Sequence, residues 1–558
     1  MVQNSSFSYR QLCGDNGLMV IVPHEDDEIN LAGALIYGAR KEGVPVKCVF
    51  ITNGDAEYPA SVRFREAIQS LAILGVKEED IIFLGYPDGG RYGERSVFLH
   101  SRDEIVKTGA YGHTYGISMH PDFAAQETGK SHECTWDNLL DDMEDVIKKY
   151  GPSVIAACDF DYHPDHRMCY LAFTEVMNRL LHKETHYRPL ILMGYCYTTG
   201  FDSVSDFYGR HLLSTVVNKG TLRNKHFETE NPSYDWGRRV RLPVMHECRT
   251  WLSENVLFHA LCAHLSQKAL RRAVKLVNGD EVFWLRRTDN LAYEGMMTAS
   301  SGNPDYLDDF HMINTKDIIS EEPALDDYLW IPEENDKEKW CQCTFSAPQH
   351  VEAITLYGNV KSGQRILRGI VSFSNGNSFE AGPLAENGKQ TLITFPAQDN
   401  VSWIRFQILE MEGEHAGVSE WEIFKSLRMD AEPQVLQITM DGNFAYDWHA
   451  YPGESPHIGV YRHGISGEIE WTLNGKPCSH EEVEKKIRKT ANPFVIRASM
   501  AGKPDIFSEI EVKPAEVTDR LRHLFNTGKD QLAVWWENQR EKYRKRKIKE
   551  CIEKARKL

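Results

Sequence analysis

The sequence predicts an α/β fold: a Rossmann-like, mostly parallel sheet, followed by two β-sandwiches and a C-terminal helix. Three observations predict it. Over the first half of the chain, apolar runs of strand length alternate with amphipathic segments at helical spacing. The polar clusters of that half fall just after the apolar runs, at the edge where ligands bind to open parallel sheets. From about residue 290 the texture changes to short alternating runs separated by Gly, Asn and Pro turns.

The run at 18–22 has the length and branching of a strand buried on both faces. It stops at Pro23 and is followed at once by His24, Glu25, Asp26, Asp27 and Glu28, before apolar positions at helical spacing over 29–43. A second strand is predicted at 46–52, ending in Thr52-Asn-Gly-Asp55, then a helix over 62–74 and a third strand at 81–86, ending in Pro87-Asp-Gly-Gly90. Residues 91–135 show no clear period and read as an excursion over the site. A helix at 136–150 and a strand at 153–158 lead into Asp159-Phe-Asp-Tyr-His-Pro-Asp-His166, with a helix at 168–181, a strand at 189–197 and a helix near 253–277 beyond. Runs at 351–357, 369–373 and 403–408 read as the first sandwich, and runs at 435–440, 469–473 and 493–498 as the second. The expected domains are 1–289, 290–427, 428–515 and a basic helical tail at 516–558.

Composition narrows the classes. A chain of 558 residues is too long for one ordinary core. A formal net charge of −17 leaves no global basic field to hold nucleic acid, so nucleic acid is not an expected partner. The 12 cysteines are scattered, and Cys341-Gln-Cys343 lacks the two-residue gap of a zinc knuckle, so they read as reduced packing residues. Met1 to Ser6 lacks a basic segment leading into an apolar core, and no apolar run is of spanning length, which predicts a soluble, cytoplasmic protein.

The chemistry lies in the two clusters that follow strands. A catalytic divalent metal takes three protein N and O ligands and leaves a position open. His24, one of the adjacent aspartates and a histidine from the 161–166 segment would supply that set. Vicinal aspartates point in different directions from a turn, so one can bind metal while the other faces the reacting water. Singly, acids after a strand are what a helix dipole favours, and His163 and His166 are ordinary loop histidines; together, at two strand ends of one sheet, they predict a metal site.

Pro23-His-Glu-Asp-Asp-Glu28 and Asp161-Tyr-His-Pro-Asp-His166 resemble the two signatures of the PIG-L/LmbE-type zinc de-N-acetylases. The resemblance extends to Thr52-Asn-Gly54, Arg63, Glu66, Asp88 and Ala263-His-Leu-Ser-Gln267, and spans about residues 17–289. It implies a zinc-dependent hydrolase that removes the acetyl group from an N-acetylglucosamine-type sugar of a glycoconjugate or glycolipid, by attack of a zinc-bound water. It further implies His24, Asp27 and His166 as zinc ligands and Asp26 as general base. Beside these, His163, if protonated, would donate to the oxyanion, Asp161 or Asp165 would orient a histidine, and Arg63, Glu66 and Asp88 would hold the substrate. Glu25 stands where the family usually has proline, and Gly33-Ala34 where a Gly pair is common.

Two other functions fit parts of the pattern: a glycan-binding or scaffolding protein with an inactive enzyme domain, and a non-haem Fe(II) enzyme, since two histidines and a carboxylate also make a facial triad. The first β segment resembles discoidin-like (F5/8 type C) carbohydrate-binding sandwiches at Trp340 and Ala416-Gly-Val-Ser-Glu-Trp421, and the second an immunoglobulin-like sandwich in length and strand spacing. In the tail, Leu532, Trp535, Trp536 and Tyr543 read as one imperfect apolar stripe with Ile548, Cys551, Ile552 and Ala555, flanked by lysine and arginine. Such a helix either packs on its own sandwich or a partner chain, or makes peripheral contact with a membrane.

Overall fold

A computed structural model describes residues 5–90, 95–107, 112–161, 163–184, 186–196, 201–202, 211–217, 235–267, 276–314 and 328–555. In the N-terminal half, α1 (Tyr9–Cys13), β1 (Leu18–Val22), α2 (Asp27–Lys41), β2 (Val46–Thr52), α3 (Ala60–Ile73) and β3 (Ile81–Tyr86) follow in order. After these come α4 (Phe123–Thr128), α5 (Trp136–Tyr150), β4 (Val154–Cys158), α6 (Pro164–Lys183), β5 (Leu190–Gly194), β6 (Val240–Pro243), α7 (Val256–Ala263) and β7 (Asp280–Arg286). The seven strands form one sheet in the order β3-β2-β1-β4-β5-β7-β6. β1 to β5 run parallel, and the last two are added antiparallel. Every residue of β1, β3, β4 and β5 is buried, as both faces of the sheet are covered.

The strand order reverses between β1 and β4, which pair side by side from Leu18 against Val154 to Ile21 against Ala157. From β1 the chain winds outward through β2 to β3, then returns to β4 and winds the other way. In open parallel sheets, the crevice that binds ligands is found at this position, where the connections leave in opposite directions. Both acid and histidine clusters follow these two strands.

The sequence places the second cluster on a loop before a helix at 168, but α6 begins at Pro164. Proline suits the first helical position because its missing N–H would have no partner there. His163 is the N-cap, its Nδ1 accepting from the N–H of Asp165 at 3.3 Å, so His166 sits in the first helical turn. α2 likewise starts earlier, at Asp27, and is broken at Ala32 (φ −146°, ψ 28°). Across the break, Glu281 of β7 accepts from the N–H of Ala34 (3.0 Å) and Leu35 (2.7 Å), capping the second half of the helix from a neighbouring strand. Of the helix expected near 253–277, α7 forms only Val256–Ala263; residues 264–267 leave the helix in a turn, and 268–275 lie outside the described residues.

Beyond β7 the sheets are antiparallel. In the first, Trp340–Gly358 pairs with Gly295–Ala299, Gln390–Glu412 and Val418–Phe424, and Arg365–Phe373 joins Gln390–Glu412 to Ser378–Ala381. The long strands carry β-bulges, and their core holds Trp330, Trp421 and Phe373. Further on, Val435–Met440 pairs with Ile458–His463, and Phe494–Met500 sits between Ile469–Leu473 and Lys503–Pro514. A short helix, α8 (His480–Arg488), packs its Val483 and Ile487 into that core.

The chain ends in α9 (Val517–Ala555), and no helix of the described residues is long and apolar enough to cross a membrane. On α9 the expected stripe divides. At 100° per residue, Ile548 and Ile552 fall opposite Leu532, Trp535, Trp536 and Tyr543, and continue the face of Asp530 and Val534 that packs on the protein.

Candidate metal centre

His24 and His166 approach each other from the two strand ends. Each ring has one nitrogen held by a carboxylate. His24 Nε2 lies 3.0 Å from Asp165 Oδ2, and His166 Nδ1 lies 2.6 Å from Asp161 Oδ2. If these are the protonated nitrogens, the other nitrogen of each ring presents a lone pair. Those nitrogens, His24 Nδ1 and His166 Nε2, lie 3.0 and 3.2 Å from one oxygen, Asp27 Oδ2. Asp27 Oδ1 is buried and accepts no hydrogen bond. Two lone pairs aimed at a shared carboxylate oxygen are repulsive without a cation or proton between them, so the donor set fits a divalent ion. His163 also stands here: ring nitrogens of His24, His163 and His166 lie within 4.8 Å of one another. A further group of three is His24 with Asp88 and Asp165.

The surrounding carboxylates are themselves held. Asp165 accepts from the N–H of Gly89 (3.0 Å) and from Ser96 Oγ (3.1 Å), and Asp161 Oδ1 from the N–H of His163 (2.7 Å). Burial and the two neighbouring histidines push the His163 imidazole well below its ordinary range. With its Nδ1 accepting from Asp165, the proton of the neutral ring sits on Nε2.

Asp26 has a backbone φ of 138°, in the region that favours glycine. Its neighbours hold it there. Its N–H donates to Glu28 Oε2 (2.9 Å), its carbonyl accepts from Asn30 Nδ2 (3.0 Å), and its Oδ1 lies 3.3 Å from Arg63 Nη2. The same Arg63 nitrogen donates to the carbonyl of Glu25 at 2.5 Å, and its Nε faces Glu25 Oε2 at 3.6 Å. Burial pushes the Glu25 carboxyl up to about 8 against the pull of Arg63. Gly54 (φ 58°) makes room for that carboxylate, since a Cβ there would come within 2.2 Å of Glu25 Oε2.

The expected substrate-holding residues divide. Arg63, 5% exposed, is engaged with Glu25 and Asp26. Glu66 accepts from the N–H and Oγ of Ser266 (2.8 and 2.6 Å), tying α3 to the segment after α7. Asp88 lies at the crevice, with Oδ1 3.9 Å from His24 Nε2 and 2.7 Å from the N–H of Gly90. Sequence reasoning missed Ser96, which carries no motif, and the link from His264 Nε2 to Glu28 Oε1 (3.0 Å). Ser266 and His264 lie in the Ala263–Gln267 motif, but only the fold shows that their partners are Glu66 and Glu28. Cys158 and Cys196 also lie against His166, and all 12 cysteines are free.

The family model described as GlcNAc-PI de-N-acetylase (PIG-L) matches residues 19–177, and one described as a domain of unknown function (DUF7402) matches 290–424. No curated protein matches the chain. Among solved structures, N,N'-diacetylchitobiose deacetylase from Pyrococcus horikoshii is 20% identical with a TM-score of 0.21, over 32% of this chain and 59% of its own length. A conserved protein from Thermus thermophilus, TT1542, is 18% identical with a TM-score of 0.21, over 32% of this chain and 66% of its own. The fucose binding module SpX-3 of Streptococcus pneumoniae is 14% identical with a TM-score of 0.20, over 25% of this chain and 98% of its own. The chain therefore carries a PIG-L de-N-acetylase domain over residues 19–177, followed by a DUF7402 domain.

Proposed function

We propose that the protein is a metal-dependent amide hydrolase that removes the acetyl group from an N-acetylglucosamine-type sugar of a glycoconjugate or glycolipid. The observation that carries this reading is the convergence of His24 Nδ1 and His166 Nε2 on Asp27 Oδ2 beside the strained Asp26, within the segment matched by the de-N-acetylase model. A divalent ion held by His24, Asp27 and His166, zinc in our reading, would supply Lewis acidity toward water and the amide carbonyl.

The remaining work falls to the chain's own groups. Asp26 takes a proton from the attacking water and passes it to the departing sugar nitrogen, so that amide and water become amine and acetic acid, which ionises to acetate. Arg63 holds that carboxylate in place. His163 donates its Nε2–H to the carbonyl oxygen as charge grows there, a role the neutral ring fills without an added proton. Asp161 and Asp165 keep His166 and His24 oriented. In this reading Asp88, 3.9 Å from His24 Nε2, meets sugar hydroxyls, while Arg63 and Glu66 build the wall behind.

Acetate release by the metal-loaded full chain, screened across N-acetylhexosamine glycosides and glycolipids with and without oxygen, tests the reading. Oxygen-independent release that D26N abolishes while retaining metal supports it. A chain that binds the glycans and releases no acetate is a binding protein, and oxygen-dependent turnover makes it an Fe(II) enzyme.

A further inference from the structure

α9 shows the protein two different faces. Toward the body, Asp530 is fully buried and accepts from the N–H of Leu252 (2.8 Å) and Ser253 (3.0 Å), and Val534 packs against the main core. Glu537 and Glu541 line a small cavity with Cys262, His264 and Leu265. At 100° per residue these four α9 residues lie within about 60° of arc. On the opposite side, Leu521, Leu524, Phe525, Leu532, Trp535 and Trp536 share an arc of about 120°. Each of the six is 56–72% exposed. Tyr543, 56% exposed, extends the stripe by two turns. Half of the large exposed apolar residues of the described chain are on this one helix.

Charge follows the stripe. Residues 540–549 hold seven lysines and arginines against one glutamate, in a chain of net charge −17. Helical geometry sets Lys542 and Lys549 along one border of the aromatic arc and Arg540 and Lys547 along the other. Arg540 pairs with Glu537 and Lys547 with Glu550, whereas Lys542, Arg544 and Lys549 have no ion-pair partner among the described residues. A seam between two copies would need apolar side chains along the middle of the stripe, where Gly528 and Gln539 stand instead. Tryptophan and tyrosine beside lysine suit the headgroup layer of a bilayer, where apolar rings enter the acyl boundary and cations meet lipid phosphates.

We propose that the outward face of α9 docks on an anionic lipid bilayer as an in-plane helix. Membrane docking of α9 is independent of the proposed hydrolysis, but it sets where that site would stand. His264, beside Glu537 and Glu541, contacts Glu28, which in turn holds the N–H of Asp26. The wall of the metal centre would then stand about one helix diameter, some 10–12 Å, from the lipid surface.

Co-sedimentation of the full chain with phosphatidylcholine vesicles, with and without phosphatidylglycerol, tests the proposal. The chain is expected to bind the anionic vesicles, to release as salt rises, and to leave the neutral ones largely unbound. The triple variant Phe525→Ser, Trp535→Ser, Trp536→Ser should lose on the order of tenfold or more in partitioning. Because all three side chains are exposed, its melting curve should match the parent. Neutralising Lys542 and Lys549 with glutamine should cost about fivefold per charge at low salt. Absence of wild-type binding to the anionic vesicles, or equal binding by parent and triple variant, overturns the proposal. So does light scattering that shows a parent dimer turned monomer by the triple variant, which would assign the stripe to a second copy.

Discussion

Asp26 combines two properties that ordinarily exclude each other, a side chain that the proposed reaction uses as its base and a backbone conformation suited to glycine. Sparsely populated φ/ψ regions cost of order 1–3 kcal/mol, and a site tolerates that only where its surroundings enforce it. Comparing D26G with D26A isolates the cost, since both lack the carboxylate and only glycine relieves the strain. D26G should be the more stable by about 1–3 kcal/mol in denaturant unfolding, and both should be inactive. Equal stabilities would mean that Arg63, Glu28 and Asn30 hold no strain here. D26N separates chemistry from metal binding. It should keep stoichiometric metal and lose on the order of 10²- to 10⁴-fold in turnover, the usual worth of a general base. H166A should fail in the other way: one ring nitrogen facing Asp27 goes, and metal content measured by elemental analysis should fall well below one ion per chain.

Elements show which parts of the site were legible in sequence. Strands β2 and β3 coincide with the predicted 46–52 and 81–86, because continuous β-branched and apolar runs between turn residues have few other solutions in a parallel sheet. The helix starts were harder. His163 caps a helix that begins at proline, a signal the sequence contains, but apolar periodicity appears only from Met168. The break of α2 at Ala32 was invisible, since its compensation comes from Glu281, far along the chain. Arg63 and Glu66 read from sequence as substrate ligands because their partners, the Glu25 carbonyl and Ser266, are set by tertiary structure alone. Asp142 of α5 is buried, accepts from Tyr86 OH at the end of β3 (2.6 Å), and faces the His132 ring at 2.8 Å. Burial pushes its carboxyl up to about 6, against the pull of Tyr86 and His132. An acid whose folded value lies above its free value of 3.8 binds its proton more tightly when folded. Its contribution to stability is present below about pH 4 and lost as pH rises through 6. D142N, which mimics the protonated group, should therefore gain on the parent in urea midpoint between pH 4 and 6 and hold that gain above.

The helix farthest along the chain supports the segment that carries His264. Asp530 of α9 caps the turn at Leu252–Glu254, which leads directly into α7 and then to His264 and Ser266. From there His264 bonds Glu28 and Ser266 bonds Glu66, so the back wall of the candidate metal centre hangs from a chain of contacts that begins outside the segment matched by the de-N-acetylase model. Nothing in the sequence marks Asp530, because an aspartate on a charged helix ordinarily faces water. Removing its carboxylate leaves two N–H groups without acceptors, at about 1–3 kcal/mol for each that stays buried. D530A should consequently raise hydrogen exchange across 252–264 and lower turnover, while metal content, which the proposal assigns to His24 in the turn after β1, Asp27 at the start of α2 and His166 in α6, stays at the parent level. Exchange confined to α9, with 252–264 unchanged, would show that the helix merely rests on the N-terminal half. Loss of metal together with activity would show that the support reaches the ligands themselves.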